Sequence, residues 1–341
     1  MRLILCRGEA LRNGSGLRTP RREIRMKNPG IAICMAVTVL FAGAPGFSQS
    51  ESEQGHGQAV VTVLPKQEGT LPPSVTGQDL SVKVDGKPAR VTSWKPFQSP
   101  ENSLELVLLI DGSASSALGG QFDSIKSFVK SLPPNTKAAI AYMQNGNAIF
   151  SGPLSADHAE VLRGLHLPAG SPGSNASPYF CLSDLAKHWP SADREARREV
   201  VMVTDGVDPY YMRFDFDDPY LQAAIADSVR ARLVVYSIYW QGMGNASSSS
   251  YENNAGQSLL AEVTEATGGK SFWIGMGNPV SFEPYLDELT RRFRNQYELG
   301  FTTGLTGKPQ VETLKLKLSA PGTEINSPGQ VMVYPAVSAQ K

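Results

Sequence analysis

The chain predicts an α/β fold, a doubly wound parallel sheet with β segments at either end. Three observations carry this expectation. The apolar runs at 104–110, 200–204 and 233–239 are short and bounded by turn residues, as strands buried on both faces are. Segments with apolar residues at helical spacing separate them. Turn-bounded β patterns recur within 58–101, after a polar tail at 49–57 expected to be disordered, and within 297–341, outside the α/β alternation.

Taken in order, 60–64 is rich in β-branched residues. Residues 80–84 alternate, turn at Asp85-Gly86 and return through Val91, which predicts a hairpin. A linker covers 96–102. Phe122, Ile125, Phe128, Val129 and Leu132 form one helical face that Pro133-Pro134 stops. Strands follow at 137–143 and 148–150, then a helix at 156–165 and a Gly/Ser/Pro-rich loop at 168–178. A helix at 179–189 ends at Pro190, and helices at 220–229, 259–266 and 279–293 alternate with strands at 200–204, 233–239 and 270–274. Residues 297–301 and 314–318 read as half-buried strands. Some forty C-terminal residues cannot readily bury a core alone. The two flanks are therefore expected to pair as a small β-sandwich around a domain at 102–296.

The 341 residues are 41% hydrophobic and 19% charged, an ordinary globular composition. The zero net charge hides an asymmetry. Residues 1–48 hold eight Lys/Arg and two acids, leaving 24 basic and 30 acidic side chains beyond them. A mildly acidic body offers no field for nucleic acid. In the leader, Met26-Lys-Asn precedes an apolar run at 31–44, and Gly46-Phe-Ser48 supplies small residues before a cut at Gln49: a secretory signal peptide, with Met26 as the expected start. The alternative is an extended leader with Arg21-Arg22 as a twin-arginine signal. Both give export, to the periplasm, the envelope or the medium. The run is shorter than the ~20 residues of a membrane span, and no other run approaches that length, so no span is expected in the mature chain. Cys6 and Cys34 lie in the leader, leaving Cys181 alone and no internal disulfide framework.

The first buried strand ends in Asp111-x-Ser113-x-Ser115, three oxygen-bearing side chains at alternate positions, where open α/β sheets place ligands. Such a donor set suits a hard cation. With Val200-Val-Met-Val-Thr-Asp-Gly206 downstream, the pattern resembles the von Willebrand factor type A (VWA) family, and the ends of the chain are similar to bacterial exported proteins with VWFA-related domains. The resemblance implies a metal-ion-dependent adhesion site (MIDAS) holding Mg²⁺, or Mn²⁺ or Ca²⁺. Ser113 and Ser115 would bind directly, and Asp111 and Asp205 partly through water. A protein partner would offer the cation an acidic residue. The family's third segment supplies a threonine, whereas Gly173-Ser-Asn-Ala-Ser-Pro178 has none. Ser177 is its expected substitute and Ser174 the next choice. Ser177 before Pro178 equally fits an ordinary helix N-cap.

Tyr210, Tyr211, Phe214 and Phe216 follow Asp205 in one loop and are candidate partner contacts, with the alternative that at least half fold back onto helices. Asp215, Asp217 and Asp218 lack the glycine and distal glutamate of an EF-hand loop. Residues 242–256 have a loop composition. No Walker motif, G-x-G-x-x-G, G-x-S-x-G or H-E-x-x-H is present, and Ser113 stands where aspartyl-phosphate chemistry usually wants a second aspartate, so an enzyme is not expected. The expected function is cation-dependent protein contact outside the cytoplasm. The alternative is a metal-independent envelope scaffold with a degenerate site.

Overall fold

A computed structural model describes residues 55–67, 69–70, 74–97, 103–114, 116–168, 177–208, 210–211, 213, 215–240, 249–274, 280–304 and 307–335. The expected leader and signal peptide with Met26, and Ser115, Ser174, Phe214 and the loop at 241–248, lie outside these residues. All described residues belong to one unit, Gln49–Lys341.

The chain opens with β1 (Gly55–Pro65), β2 (Leu80–Val84) and β3 (Lys87–Pro96). The last two turn at Asp85 and Gly86, whose φ values of 47° and 74° fit a two-residue hairpin loop. The middle of the chain forms β4 (Leu104–Asp111), α1 (Phe122–Ser131), β5 (Thr136–Gln144), β6 (Asn147–Phe150), α2 (His158–Arg163) and α3 (Pro178–Lys187). It continues with β7 (Arg197–Thr204), α4 (Pro219–Arg230), β8 (Leu233–Tyr239), α5 (Ser250–Thr267), β9 (Ser271–Trp273) and α6 (Glu283–Arg294). The end supplies β10 (Gln296–Thr303), β11 (Gln310–Leu318), β12 (Thr323–Asn326) and β13 (Gln330–Pro335).

These strands form two sheets. One has the order β6-β5-β4-β7-β8-β9, parallel from β5 to β9, with β6 antiparallel to β5. The other runs β10-β3-β2-β11-β13-β1-β12, antiparallel at every pairing, and β10 also bonds β1. Six of its strands thus close into a ring, with β12 attached along the end of β1.

The expected fold class, a doubly wound parallel sheet with a small flanking β-sandwich, is corrected by this arrangement. The chain forms a closed six-stranded antiparallel barrel and a separate mixed sheet. The reason lies in β1. Its residues 55–62 pair with β10 while 55–57 pair with β13 and 62–65 with β12, so the long strand is bonded on both sides. A sandwich would leave such edges open, and closure removes them. The mixed sheet owes its antiparallel member to Asn145-Gly146, both at positive φ (49° and 74°), which folds β6 straight back on β5.

Val61, Val63, Val82, Val84, Leu299 and Phe301 are among the side chains filling the barrel. All eight residues of β4 are buried. Its Leu106, Leu108 and Ile110 pack with Ile125 and Phe128 of α1 and Leu289 and Phe293 of α6. Val107 and Leu109 share the opposite layer with Leu182 of α3 and Ile225 of α4. Cys181 is buried in this second layer, and burial pushes its thiol up to about 12, so it stays protonated and inert at neutral pH. Among the described residues no helix is long and apolar enough to cross a membrane.

A buried ion pair occupies the start of β7. Arg197 Nε stands 3.3 Å from Glu199 Oε1, and its Nη1 donates to the Phe293 carbonyl at 3.1 Å. Its guanidinium lies 5.1 Å from the centre of the Phe97 ring. Burial pushes the Glu199 carboxyl up to about 7, with Arg197 acting in the opposite direction.

Candidate functional site

β4 and β7 are adjacent and parallel, so Asp111 and Asp205 leave the sheet at the same edge. Asp111, the last residue of β4, is 3% exposed. Its Oδ1 accepts from Ser113 N at 2.9 Å and from Ser113 Oγ at 2.6 Å, and its Oδ2 accepts from Thr204 Oγ1 at 2.7 Å. Thr204 Oγ1 in turn accepts from Gly206 N at 3.2 Å. Half-buried Asp205 accepts from Val207 N at 3.0 Å. Burial raises the pKa of both carboxyls, and the charge of Asp111 raises that of Asp205 further.

Ser177 is fully buried and does two things. Its Oγ accepts from Phe180 N at 3.3 Å, capping α3, and donates to Asp208 Oδ2 at 2.8 Å. Asp208 Oδ1 accepts from Tyr210 N at 2.8 Å. Behind these groups the Tyr179 hydroxyl donates to the Gly206 carbonyl at 2.8 Å, and Asp205, Asp208 and Asp218 all stand near enough to oppose its ionisation. Asp218 caps α4 through Oδ1, while its buried Oδ2 has no hydrogen-bond partner among the described residues.

Asp111, Ser113, Ser177 and Asp205 therefore gather at one rim, while Ser115 lies outside the described residues. The rim also contains groups that sequence reasoning missed. Thr204 orients Asp111, and Asp208 anchors Ser177. Asp208 had a legible signal, standing three residues after Asp205 in a loop bound to leave the same edge. Gly256 had none, because the loop composition of 242–256 conceals that α5 starts at Ser250. A Cβ on Gly256 would sit 2.2 Å from the Asp205 carbonyl oxygen. Gly206, at φ 70°, completes this close passage of helix and loop. Gly256→Ala is expected to push α5 from the Asp205 turn and lower stability by about 1–3 kcal/mol in urea unfolding. An unchanged midpoint would mean that the turn yields freely.

The aromatic candidates divide. Tyr210 is 47% exposed yet meets the Phe180 ring edge-on at 5.4 Å. The Tyr211 hydroxyl donates to Asp215 Oδ1 at 3.1 Å, and its ring lies 6.0 Å from the Arg213 guanidinium. Phe216 is 53% exposed, and Phe214 lies outside the described residues. Tyr251 in the first turn of α5 and Trp273 at the end of β9 add exposed aromatic surface at this side of the sheet.

The donors at the rim are all oxygens, the chemistry Mg²⁺, Mn²⁺ and Ca²⁺ prefer. Among the described residues no Lys or Arg pairs with Asp111 or Asp205, so their charge has no protein counterion there. These features fit a cation. Among the described residues no group of three or more His, Cys, Asp or Glu is spaced to hold a metal, so hydroxyls and water would complete the shell.

No family model matches the chain. Nor does any curated protein. Among solved structures, an aerotolerance-related membrane protein from Bacteroides fragilis is similar at 13% identity, covering 56% of this chain and 98% of that one, with a TM-score of 0.41. BatB from Bacteroides thetaiotaomicron is similar at 12% identity over 55% of this chain and 96% of its own, with a TM-score of 0.40. The pilus adhesin SpaC from Lactobacillus rhamnosus GG, in its open conformation, is similar at 11% identity over 80% of this chain and 49% of its own, with a TM-score of 0.44. Identities and scores this low assign neither family nor activity.

Proposed function

We propose that the chain is an exported envelope protein whose Asp111–Asp205 rim binds one divalent cation, Mg²⁺ or its relatives Mn²⁺ and Ca²⁺, and contacts a protein partner there. The observation that supports this reading is the pair of neighbouring carboxylates, at adjacent strand ends, with no cationic side chain to balance them among the described residues. Asp111, Asp205, Ser113 and Ser115 would hold the ion, with Ser177 and Asp208 at its margin. When bound, the ion supplies a Lewis-acidic centre able to accept a carboxylate from another protein. Thr204 and the Ser113 amide hold Asp111 in a fixed orientation. Exposed Tyr210, Phe216 and Tyr251 offer a partner apolar area around the charge.

A second reading, a metal-independent scaffold, draws on a different feature. Ser113 Oγ and Thr204 Oγ1 already satisfy Asp111, and Ser177 Oγ points to Asp208, a closed network that needs no ion. Titration calorimetry of Mn²⁺ into metal-free full-length chain separates the two. One saturable site that disappears in Asp111→Ala is the expected result. Absence of uptake by the wild-type chain leaves the scaffold.

A further inference from the structure

An open cleft of about 830 Å³ lies at the opposite end of the mixed sheet, between the starts of β7 and β8, the last turns of α3 and α4, and barrel strands β1 and β13. Five cationic side chains line it against two carboxylates, Glu195 and Asp227. Asp227 is already engaged, with Lys187 Nζ at 2.9 Å and Arg230 Nη1 at 3.0 Å. Of the other three cations, Arg194, Arg198 and Arg232, Arg198 alone has a carboxylate within ion-pair distance among the described residues. Arg198 donates to the Ser191 and Asp193 carbonyls, stands 3.9 Å from Glu105, and has a buried Nε without a hydrogen bond. Arg232 Nη1 donates to the Arg194 carbonyl at 3.4 Å. The Asp193 carboxylate accepts from the amides of Glu195 and Ala196 and from Ser103 Oγ.

Burial lowers the pKa of Arg198, Glu105 and Asp193 act in the opposite direction, and the three guanidiniums are close enough for Arg232 and Arg194 each to disfavour its charge. Like charges gathered on a concave wall repel one another, and an anion lying among them relieves that repulsion while accepting charge-assisted hydrogen bonds. Other parts of the wall are apolar. The Arg198 guanidinium lies 5.6 Å from the centre of the Trp189 ring, and on the barrel side Tyr334 stacks with His56 at 5.9 Å beside Met332. The volume falls within the range of small-molecule sites, ~300–1,000 Å³.

We propose that this cleft binds a small organic anion, its phosphate or carboxylate held by Arg194, Arg198 and Arg232 and its apolar body resting on Trp189 and Tyr334. The site lies at the far end of the sheet from Asp111 and Asp205 and stands independently of cation binding there.

Calorimetry on the full chain in low-salt buffer tests this, with inorganic phosphate, phenyl phosphate and citrate as probes. Saturable binding is expected, with phenyl phosphate tighter than inorganic phosphate because the ring gains the apolar wall. Tighter phenyl phosphate than citrate marks a phosphorylated ligand, and the reverse order marks a carboxylated one. Arg194→Gln/Arg232→Gln should weaken the best probe about tenfold or more. Lys126→Gln, on α1 away from the cleft, should leave affinity unchanged. If the double variant misfolds by circular dichroism, exposed Arg194→Gln alone carries the comparison, with a several-fold loss expected. No saturable binding to the wild type would overturn the proposal. So would equal affinity in the cleft variants, or an equal loss in Lys126→Gln, which would reduce the effect to bulk charge.

Discussion

Asp205→Asn should be more stable than the wild type in EDTA and less stable in excess Mn²⁺. Without a cation, Asp205 raises the local negative potential beside buried Asp111, and burial opposes the charge on both. Asparagine keeps a carbonyl oxygen for the Val207 amide and removes the repulsion, a gain of about 1–2 kcal/mol at the effective dielectric of a half-buried site. The ordering reverses with metal. A ligand at a hundred times its Kd stabilises the native state by about 2.7 kcal/mol, a gain that the variant largely forgoes. Thermal unfolding of both proteins in both buffers gives the four values required. Parallel shifts in wild type and variant, or a variant destabilised in EDTA, would remove the ion from this rim.

Arg197→Met should cost about 3–5 kcal/mol, the usual consequence of leaving a buried charge without its partner. Glu199 has no exposed surface, and Arg197, followed by the Gln296 side chain, favours its charge, so Arg197 is its principal compensation. Arg197→Met/Glu199→Gln should recover most of the loss, and the coupling in that cycle measures the pair. A pH dependence accompanies it. The folded Glu199 carboxyl sits near 7 against 4.5 for the free group, so the native state holds this proton more tightly than the unfolded chain. Its contribution is therefore complete below about pH 4.5, declines by on the order of 1 kcal/mol per unit as pH rises, and levels off above about 7. Urea midpoints for wild type and Glu199→Gln at pH 5 and 7.5 isolate that slope. Equal slopes in the two proteins would refute the assignment.

Local patterns made much of the middle of the chain legible. The apolar face of α1, the Asp85-Gly86 hairpin and the bounds of β8 follow from spacing and turn chemistry within a few residues, where period and punctuation act directly. The pairing of the two flanks was legible, and β1 and β3 do pair with β10, but closure into a barrel did not follow. Short alternating strands look the same in a sandwich and in a ring. Asn145-Gly146 is a hairpin signal for the antiparallel β6 that sequence reasoning missed. At the candidate site, Asp111 and Asp205 stood out because strand ends place them side by side. Ser177 satisfied both of its descriptions, capping α3 while bonding Asp208. The first two turns of α5 were hidden because Ser, Asn and Gly are weak helix formers. The Ser249–Glu252 capping box and the packing of Gly256 on Asp205 secure them instead.

The order of the strands also governs how this protein must come into being. Phe97 N bonds the Gln296 carbonyl at 2.9 Å, and Val63 N bonds that of Asn295, so the intervening α/β segment returns the chain to the place where it left. Once that segment has folded, β3 and β10 are neighbours, and a long entropic search becomes a short one. Until then the first three strands have no closing partners. A chain stalled in synthesis or transport before β10 would display bare β1 and β3 edges, the kind of surface that recruits other chains into aggregates. Cells making this protein therefore carry a window of vulnerability that closes only when β10 and the strands after it have joined the barrel.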